Sequence, residues 1–217
     1  MSVVEIQNLT KKIKNKIILS HINLSLEAGT ANGFYGHNGS GKSMLFRAIA
    51  GLIQATEGSV KAFGKEIGKD VSFPESMGLV IESVGFWPYY TSFENLKALA
   101  SIKKTISNEE IKNAICRVGL DPDDKRTYRK YSLGMKQRLG IAQAIMEKPN
   151  LILLDEPTNA LDEDGVQKIR TIIQEEVKRG ACVLIASHNR EDLALLCSRF
   201  FKMDDGELQE TAEEMKA

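Results

Sequence analysis

The run from Gly33 to Gly41 places Gly33, Gly36, Gly39 and Gly41 directly ahead of a helix-forming stretch. Glycine weakens helices and strands alike, so bare backbone here needs something to sit against it. Gly36-His37-Asn38-Gly39-Ser40-Gly41-Lys42-Ser43 fits the pattern G-x-x-x-x-G-K-[ST] in full. Such a loop curls so that main-chain N–H groups point inward at phosphate oxygens, and the following helix N-terminus adds positive potential. In that chemistry Lys42 reaches the β- and γ-phosphates and the Ser43 hydroxyl ligates Mg²⁺. The expected phosphate-binding set is Gly36, His37, Asn38, Gly39, Ser40, Gly41, Lys42, Ser43 and Met44.

A second group lies far along the chain. In Leu151-Ile152-Leu153-Leu154-Asp155-Glu156-Pro157 four apolar residues read as a buried strand that delivers two carboxylates at its end. Ligands of open α/β sheets bind at that end of the strands. Asp155 is placed to hold Mg²⁺, and Glu156 to polarise an attacking water. His188 follows the apolar run Cys182–Ser187, and so shares that strand end, where an imidazole could hydrogen-bond a γ-phosphate. Glu156 and His188 are the expected catalytic residues.

These groups need a scaffold that brings strand ends together. The opening segments, Val3–Thr10 and Lys16–Gly29, read as strands joined to a turn at Glu27-Ala28-Gly29. Thr30–Gly36 is a weaker strand pattern, interrupted by Asn32 and Gly33, and a helix is expected from Lys42 to about Ala50. Glu57–Ile67 has the form of a hairpin and Met77–Ser83 of a buried strand. Capping boxes at Thr91–Glu94 and Ser107–Glu110 open two helices, giving a mostly helical insert over 84–136. Strands and helices then alternate to a closing hairpin that turns at Asp205-Gly206. Short, wholly apolar strands alternating with helices imply a mostly parallel sheet covered on both faces. The expected fold is α/β, with N-terminal antiparallel strands and an inserted helical subdomain. It forms one domain over 1–217, with its core at 1–83 and 137–217.

Composition bounds the function. The 217 residues carry 29 Lys plus Arg against 29 Asp plus Glu, and this zero balance argues against nucleic acid as a partner. The three cysteines, Cys116, Cys182 and Cys197, form no CxxC pair, so neither a disulfide framework nor a zinc site is expected. The N-terminus has no apolar core of a secretory signal, and no apolar run approaches the roughly 18 residues of a membrane span.

Taken together, these motifs resemble the nucleotide-binding subunits of ATP-binding cassette (ABC) transporters, with their P-loop NTPase core. The most diagnostic element is Tyr131-Ser132-Leu133-Gly134-Met135-Lys136-Gln137-Arg138, which is similar to the family's signature segment, usually LSGGQ. Ser132 and Gly134 match it; Leu133 replaces a glycine and Met135 a glutamine. Asn159–Asp162 is similar to the D-loop, and His188 to the switch histidine. The resemblance implies that Ser132, Leu133, Gly134, Met135 and Asp162 contribute to nucleotide binding. It further places Ile13 where the family usually has an aromatic residue over adenine, and Glu82 where it has a glutamine near Mg²⁺. Those two departures imply looser base selection and an added charge near the phosphates. The Glu82 and Ser132–Arg138 forms resemble exporter subunits for antimicrobial peptides and drugs.

The resemblance also implies ATP and Mg²⁺ as cofactors and two partners. One is a second nucleotide-binding subunit, closing head-to-tail around two ATPs; the other is a separate transmembrane permease that keeps the chain on the cytoplasmic face of the membrane. The cluster Phe86, Trp87, Tyr89 and Tyr90 stands out in a chain only 6% aromatic. At least part of it is expected to receive that permease, the alternative being a plug between sheet and insert. A membrane-free regulatory nucleotide-binding module is the other functional class that these motifs allow.

Overall fold

The computed structural model describes residues 2–82 and 85–211. Two sheets form the frame. The first is antiparallel: β1 (Ser2–Ile13) pairs with β2 (Lys16–Glu27) on one side and β4 (Glu57–Ala62) on the other, and β5 (Lys65–Glu66) closes the edge. The second has six strands in the order β10-β9-β3-β8-β7-β6. These are β3 (Ala31–Tyr35), β6 (Met77–Val80), β7 (Leu151–Asp155), β8 (Cys182–Ala186), β9 (Arg199–Asp204) and β10 (Glu207–Thr211). All neighbours in it are parallel except β10 against β9, joined by the turn at Asp205 (φ 44°) and Gly206 (φ 86°). The expected α/β fold with antiparallel N-terminal strands is borne out.

The parallel strands are buried on both faces because their apolar runs serve two cores. In β7, Leu151 and Leu153 join Phe34, Phe46 and Phe201 between the sheets, while Ile152 and Leu154 join Leu139, Ile145 and Ile169 under the helices. That is the period-2 alternation of a strand, with both sides apolar. β3 is equally buried despite Asn32 and Gly33. Asn32 donates its side-chain N–H groups to the Thr30 hydroxyl (3.0 Å) and the Val183 carbonyl (3.4 Å), while its buried Oδ1 has no hydrogen-bond partner among the described residues. At Gly33 a Cβ would meet Cys197 Sγ at 3.1 Å and Leu193 at 3.3 Å, so the missing side chain lets α6 (Arg190–Leu196) close on the sheet.

The remaining helices are α1 (Lys42–Ile49), α2 (Ser92–Lys103), α3 (Asn108–Arg117), α4 (Leu133–Ile145) and α5 (Glu163–Lys178). Both capping boxes form: Thr91 and Ser107 accept from the N–H groups of Glu94 and Glu110, whose carboxylates return to the cap N–H groups. α2 and α3 thus stand between β6 and α4, as expected of the insert. Its border at 136 falls inside α4, because Ser132 caps that helix and starts it at Leu133. Its border at 83–84 lies outside the described residues. α4 lies so close to β6 that a Cβ on Gly78 would sit 1.9 Å from the Ala144 carbonyl oxygen. No helix among the described residues is long and apolar enough to cross a membrane.

Candidate functional site

Because β3, β8, β7 and β6 run parallel, their C-terminal ends open onto one side of the sheet. The glycine loop leaves β3 there. Gly36 (φ 155°) passes under β9 so closely that a Cβ would lie 2.2 Å from the Met203 carbonyl oxygen. Gly41 (φ 112°) takes the N-cap position of α1 in the left-handed region, with no side-chain hydrogen bond to the helix end. Every other α-helix among the described residues begins on a side-chain cap: Thr91, Ser107, Ser132, Asp162 and Asn189. α1 therefore presents its first N–H groups uncapped, as an anion site requires. Lys42 is buried, and its ammonium is held over the loop by the carbonyls of Gly36 (2.8 Å) and His37 (3.2 Å). The Ser40 hydroxyl is buried with no partner among the described residues, while the Ser40 carbonyl accepts the Gly206 N–H at 2.9 Å and ties the loop to the closing hairpin.

One turn into α1, Ser43 Oγ donates to Asp155 Oδ2 at 2.5 Å, joining the loop to the end of β7. Asp155 is only 7% exposed. Burial pushes its carboxyl above the ordinary carboxylate range, the Ser43 hydroxyl pulls the other way, and the neighbouring Glu156 and Glu82 push up again. A desolvated carboxylate with two acidic neighbours and a hydroxyl in contact is a donor set that fits a divalent cation. Glu156 comes next, in the left-handed region (φ 51°) that non-glycine residues seldom adopt. Its backbone is held by Glu156 N–H to the Ala186 carbonyl (2.8 Å) and by the Gln137 amide, which donates to the Glu156 carbonyl at 3.0 Å. Its carboxylate accepts the His188 N–H (3.1 Å), lies 2.9 Å from His188 Nδ1 and takes a longer contact from Ser187 Oγ (3.4 Å). The two residues expected to be catalytic are thus in direct contact.

The family model for ABC transporters matches residues 19–159. The chain belongs to the ABC transporter family. It is 50% identical over 213 residues to the uncharacterized ABC transporter ATP-binding protein YybJ of Bacillus subtilis (strain 168), covering 98% of this chain and 97% of that one. It is 35% identical over 210 residues to the bacitracin transport ATP-binding protein BcrA of Enterococcus faecalis, covering 96% of this chain and 68% of that one. It is also 35% identical over 187 residues to the lantibiotic transport ATP-binding protein SrtF of Streptococcus pyogenes, covering 86% and 80%. Among solved structures, the dimeric post-hydrolysis state of the cassette MJ0796 bound to ADP and Pi matches with a TM-score of 0.86 at 23% identity, over 96% of this chain and 97% of that one.

In this ABC cassette the strand ends border a cleft of about 650 Å³. Of the residues expected at the site, Asn38, Gly39, Gly41, Lys42, Ser43, Met44, Glu82, Leu133, Asp155 and Glu156 line it. Glu82 is itself in the left-handed region (φ 56°) and pairs with Arg47 at 2.9 Å. Gly36 and Ser40 shape the loop from behind. His37 points away, its Nε2 3.5 Å from both Asp204 and Asp205. Ser132 caps α4 by accepting the Met135 N–H (3.2 Å), and Asp162 caps α5 by accepting the Gly165 N–H (2.9 Å). Gly134 lets α4 approach the loop after β7, since a Cβ there would lie 2.8 Å from the Ala160 carbonyl oxygen; Met135 packs on the helical core. Ile13 is an exposed residue at the end of β1 and is not among the lining residues.

Four further residues line the cleft: Ile18, Gln137 of the signature-like segment, and Asn159 and Ala160 of the D-loop-like segment, none of them individually expected at the site. Gln137 was within reach of sequence reasoning, being one helical turn past Leu133 and so on the same face of α4. Nothing in the run Ile17-Ile18-Leu19 marks Ile18, whose carbonyl backs Gly41.

Lys42→Ala removes the buried cation from the loop. Charge-assisted contacts are worth about 1.5–3 kcal/mol, so ATP affinity measured by calorimetry should fall about tenfold or more. Equal affinity in mutant and parent would refute the phosphate-loop assignment.

Proposed function

We propose that this ABC cassette is the ATP-hydrolysing subunit of a membrane exporter. The observation that carries the reading is the convergence of an uncapped α1, the buried Lys42 and the Ser43–Asp155 contact beside Glu156. ATP lies with its phosphates on the glycine loop, the α1 N–H groups and Lys42. Ser43 and Asp155 would hold Mg²⁺, with Glu82 nearby, and the ion would neutralise charge on the phosphate oxygens. Glu156 orients water toward the γ-phosphorus, and His188, in contact with its carboxylate, fixes that orientation and reaches the same phosphate. Ile18 in the cleft and Ile13 at the end of β1 are both aliphatic, so the base is covered without a π-face and selection among purines is loose.

A second cassette completes each site. Leu133, on the first turn of α4, is 68% exposed beside Ser132, which presents the signature segment outward. Head-to-tail closure of two subunits around two ATPs, then reopening after hydrolysis, moves the permease to which both are attached. That permease places the chain on the cytoplasmic face of the membrane. The names of BcrA and SrtF support export of a peptide-like cargo.

The permease-facing surface is the aromatic segment. Phe86 is buried against Tyr128, with ring centroids 5.2 Å apart, while Trp87, Tyr89 and Tyr90 are exposed. Asn95, fully buried on α2, accepts the Trp87 N–H (2.8 Å) and donates to the carbonyls of Trp87, Tyr90 and Thr91. The loop is thereby preorganised with its rings outward, as an anchor site requires.

Glu156→Gln keeps shape and hydrogen bonding but loses the charge that orients water. Its turnover should fall at least about a hundredfold, while ATP binding persists and a closed dimer accumulates on a sizing column. Unchanged turnover would exclude Glu156 as the catalytic carboxylate. Trp87→Ala with Tyr89→Ala should leave the ATPase of the isolated subunit intact and weaken assembly with the permease by about tenfold or more. Normal assembly, or loss of the fold, would exclude this surface as the docking site.

A further inference from the structure

Beside the nucleotide cleft lies a second, smaller one, whose walls include Glu156, Thr158, Arg170, His188 and Asp192. Asp192 is a carboxylate only 3% exposed, on the first turn of α6. Its Oδ2 accepts the Thr158 hydroxyl at 2.7 Å. Its Oδ1 accepts Arg170 Nε at 3.0 Å and is also bonded by Arg170 Nη2. Three segments meet here: the turn after Glu156, α5 through Arg170, and the helix that opens after His188. Asn189 fixes the start of that helix by accepting the N–H groups of Glu191 (3.0 Å) and Asp192 (3.3 Å).

This network is more than a staple between packed elements. Thr158 stands two residues after Glu156, whose left-handed backbone persists only where its surroundings over-determine it. Asp192 stands four residues after His188, whose N–H and Nδ1 both meet the Glu156 carboxylate. The Thr158–Asp192 bond is therefore a second brace across the same two segments that the Glu156–His188 contact joins. Burying a carboxylate beside that contact is costly unless it is paired, and Arg170 supplies the pairing.

We propose that Asp192 is a positioning residue for the Glu156–His188 pair, acting through the Thr158 hydroxyl, with Arg170 as its counter-charge. The role rests on the reading of Glu156 as the carboxylate of ATP hydrolysis. It predicts that the brace governs the rate of the chemical step and leaves nucleotide binding alone, since none of the three residues lines the phosphate cleft.

Thr158→Val tests this with little change of shape, because it deletes the hydroxyl and keeps the Arg170–Asp192 pair. Small misplacements of reacting groups cost up to about a hundredfold in rate, so its kcat should fall about ten- to a hundredfold with KM and Kd for ATP near parental. Thr158→Ser keeps the hydroxyl and should restore the parental kcat. Thr158→Ala, which cannot overpack, should repeat the kcat-selective loss. A folded Thr158→Val enzyme with parental kcat, or a parallel loss of kcat and ATP affinity, overturns the proposal. Glu156→Gln run alongside separates the two readings. If it still turns over ATP, the underlying assignment falls. If it is inactive while Thr158→Val matches the parent, only the role of Asp192 falls.

Discussion

The hydrogen bond from Ser43 to Asp155 joins residues 112 positions apart in the chain, at 2.5 Å. The site depends on it, because it brings a loop built for phosphates to the strand end that carries the carboxylates. Neither half is sufficient alone. The glycine loop offers uncapped N–H groups and a buried ammonium, but no group to activate water. The end of β7 offers Asp155, in which burial and the neighbouring Glu156 and Glu82 disfavour charge, and so calls for cations. Joined, they set a buried ammonium and uncapped N–H groups beside two carboxylates in one cleft, which suits a metal-bound triphosphate.

What holds that junction is the sheet. β3, β7 and β8 are buried at every position, and their parallel hydrogen bonding sets Tyr35, Asp155 and Ala186 at neighbouring ends. Functional groups leave those ends by strained geometry: Glu82 and Glu156 have φ of 56° and 51°, and Gly36 and Gly41 take angles that favour glycine. Each such non-glycine residue costs roughly 1–3 kcal/mol. The buried strands and the bonds to the Glu156 backbone from α4 and β8 offset that cost. The rigid scaffold and the irregular rim are two aspects of one design, in which regular structure ends where chemistry begins.

Much of this was legible in the residues. The phosphate loop, the paired carboxylates and both capping boxes declare themselves locally, since each depends on a few neighbouring residue types. β3 was harder to read because Asn32 and Gly33 break its apolar run, and their reasons, a carbonyl on β8 and the approach of α6, lie far along the chain. The aromatic segment is split in its burial, which its sequence does not reveal: Phe86 fills the core and its neighbours face outward. The cleft's second rank was only partly legible. Ile18 has no distinguishing neighbours, and the bond from Gln137 to the Glu156 carbonyl exists only once α4 is docked. The Thr158–Arg170–Asp192 network is likewise invisible before α5 and α6 are packed.

The proposed Mg²⁺ site is what would couple the phosphate loop to the strand end beyond the Ser43–Asp155 bond. Calorimetry of ATP binding with Mg²⁺ and with EDTA, in the parent and in Asp155→Asn, tests it most directly. The parent should bind ATP more tightly with Mg²⁺, and Asp155→Asn should lose that difference while still binding metal-free ATP. An Mg²⁺ effect of equal size in both proteins would contradict the account.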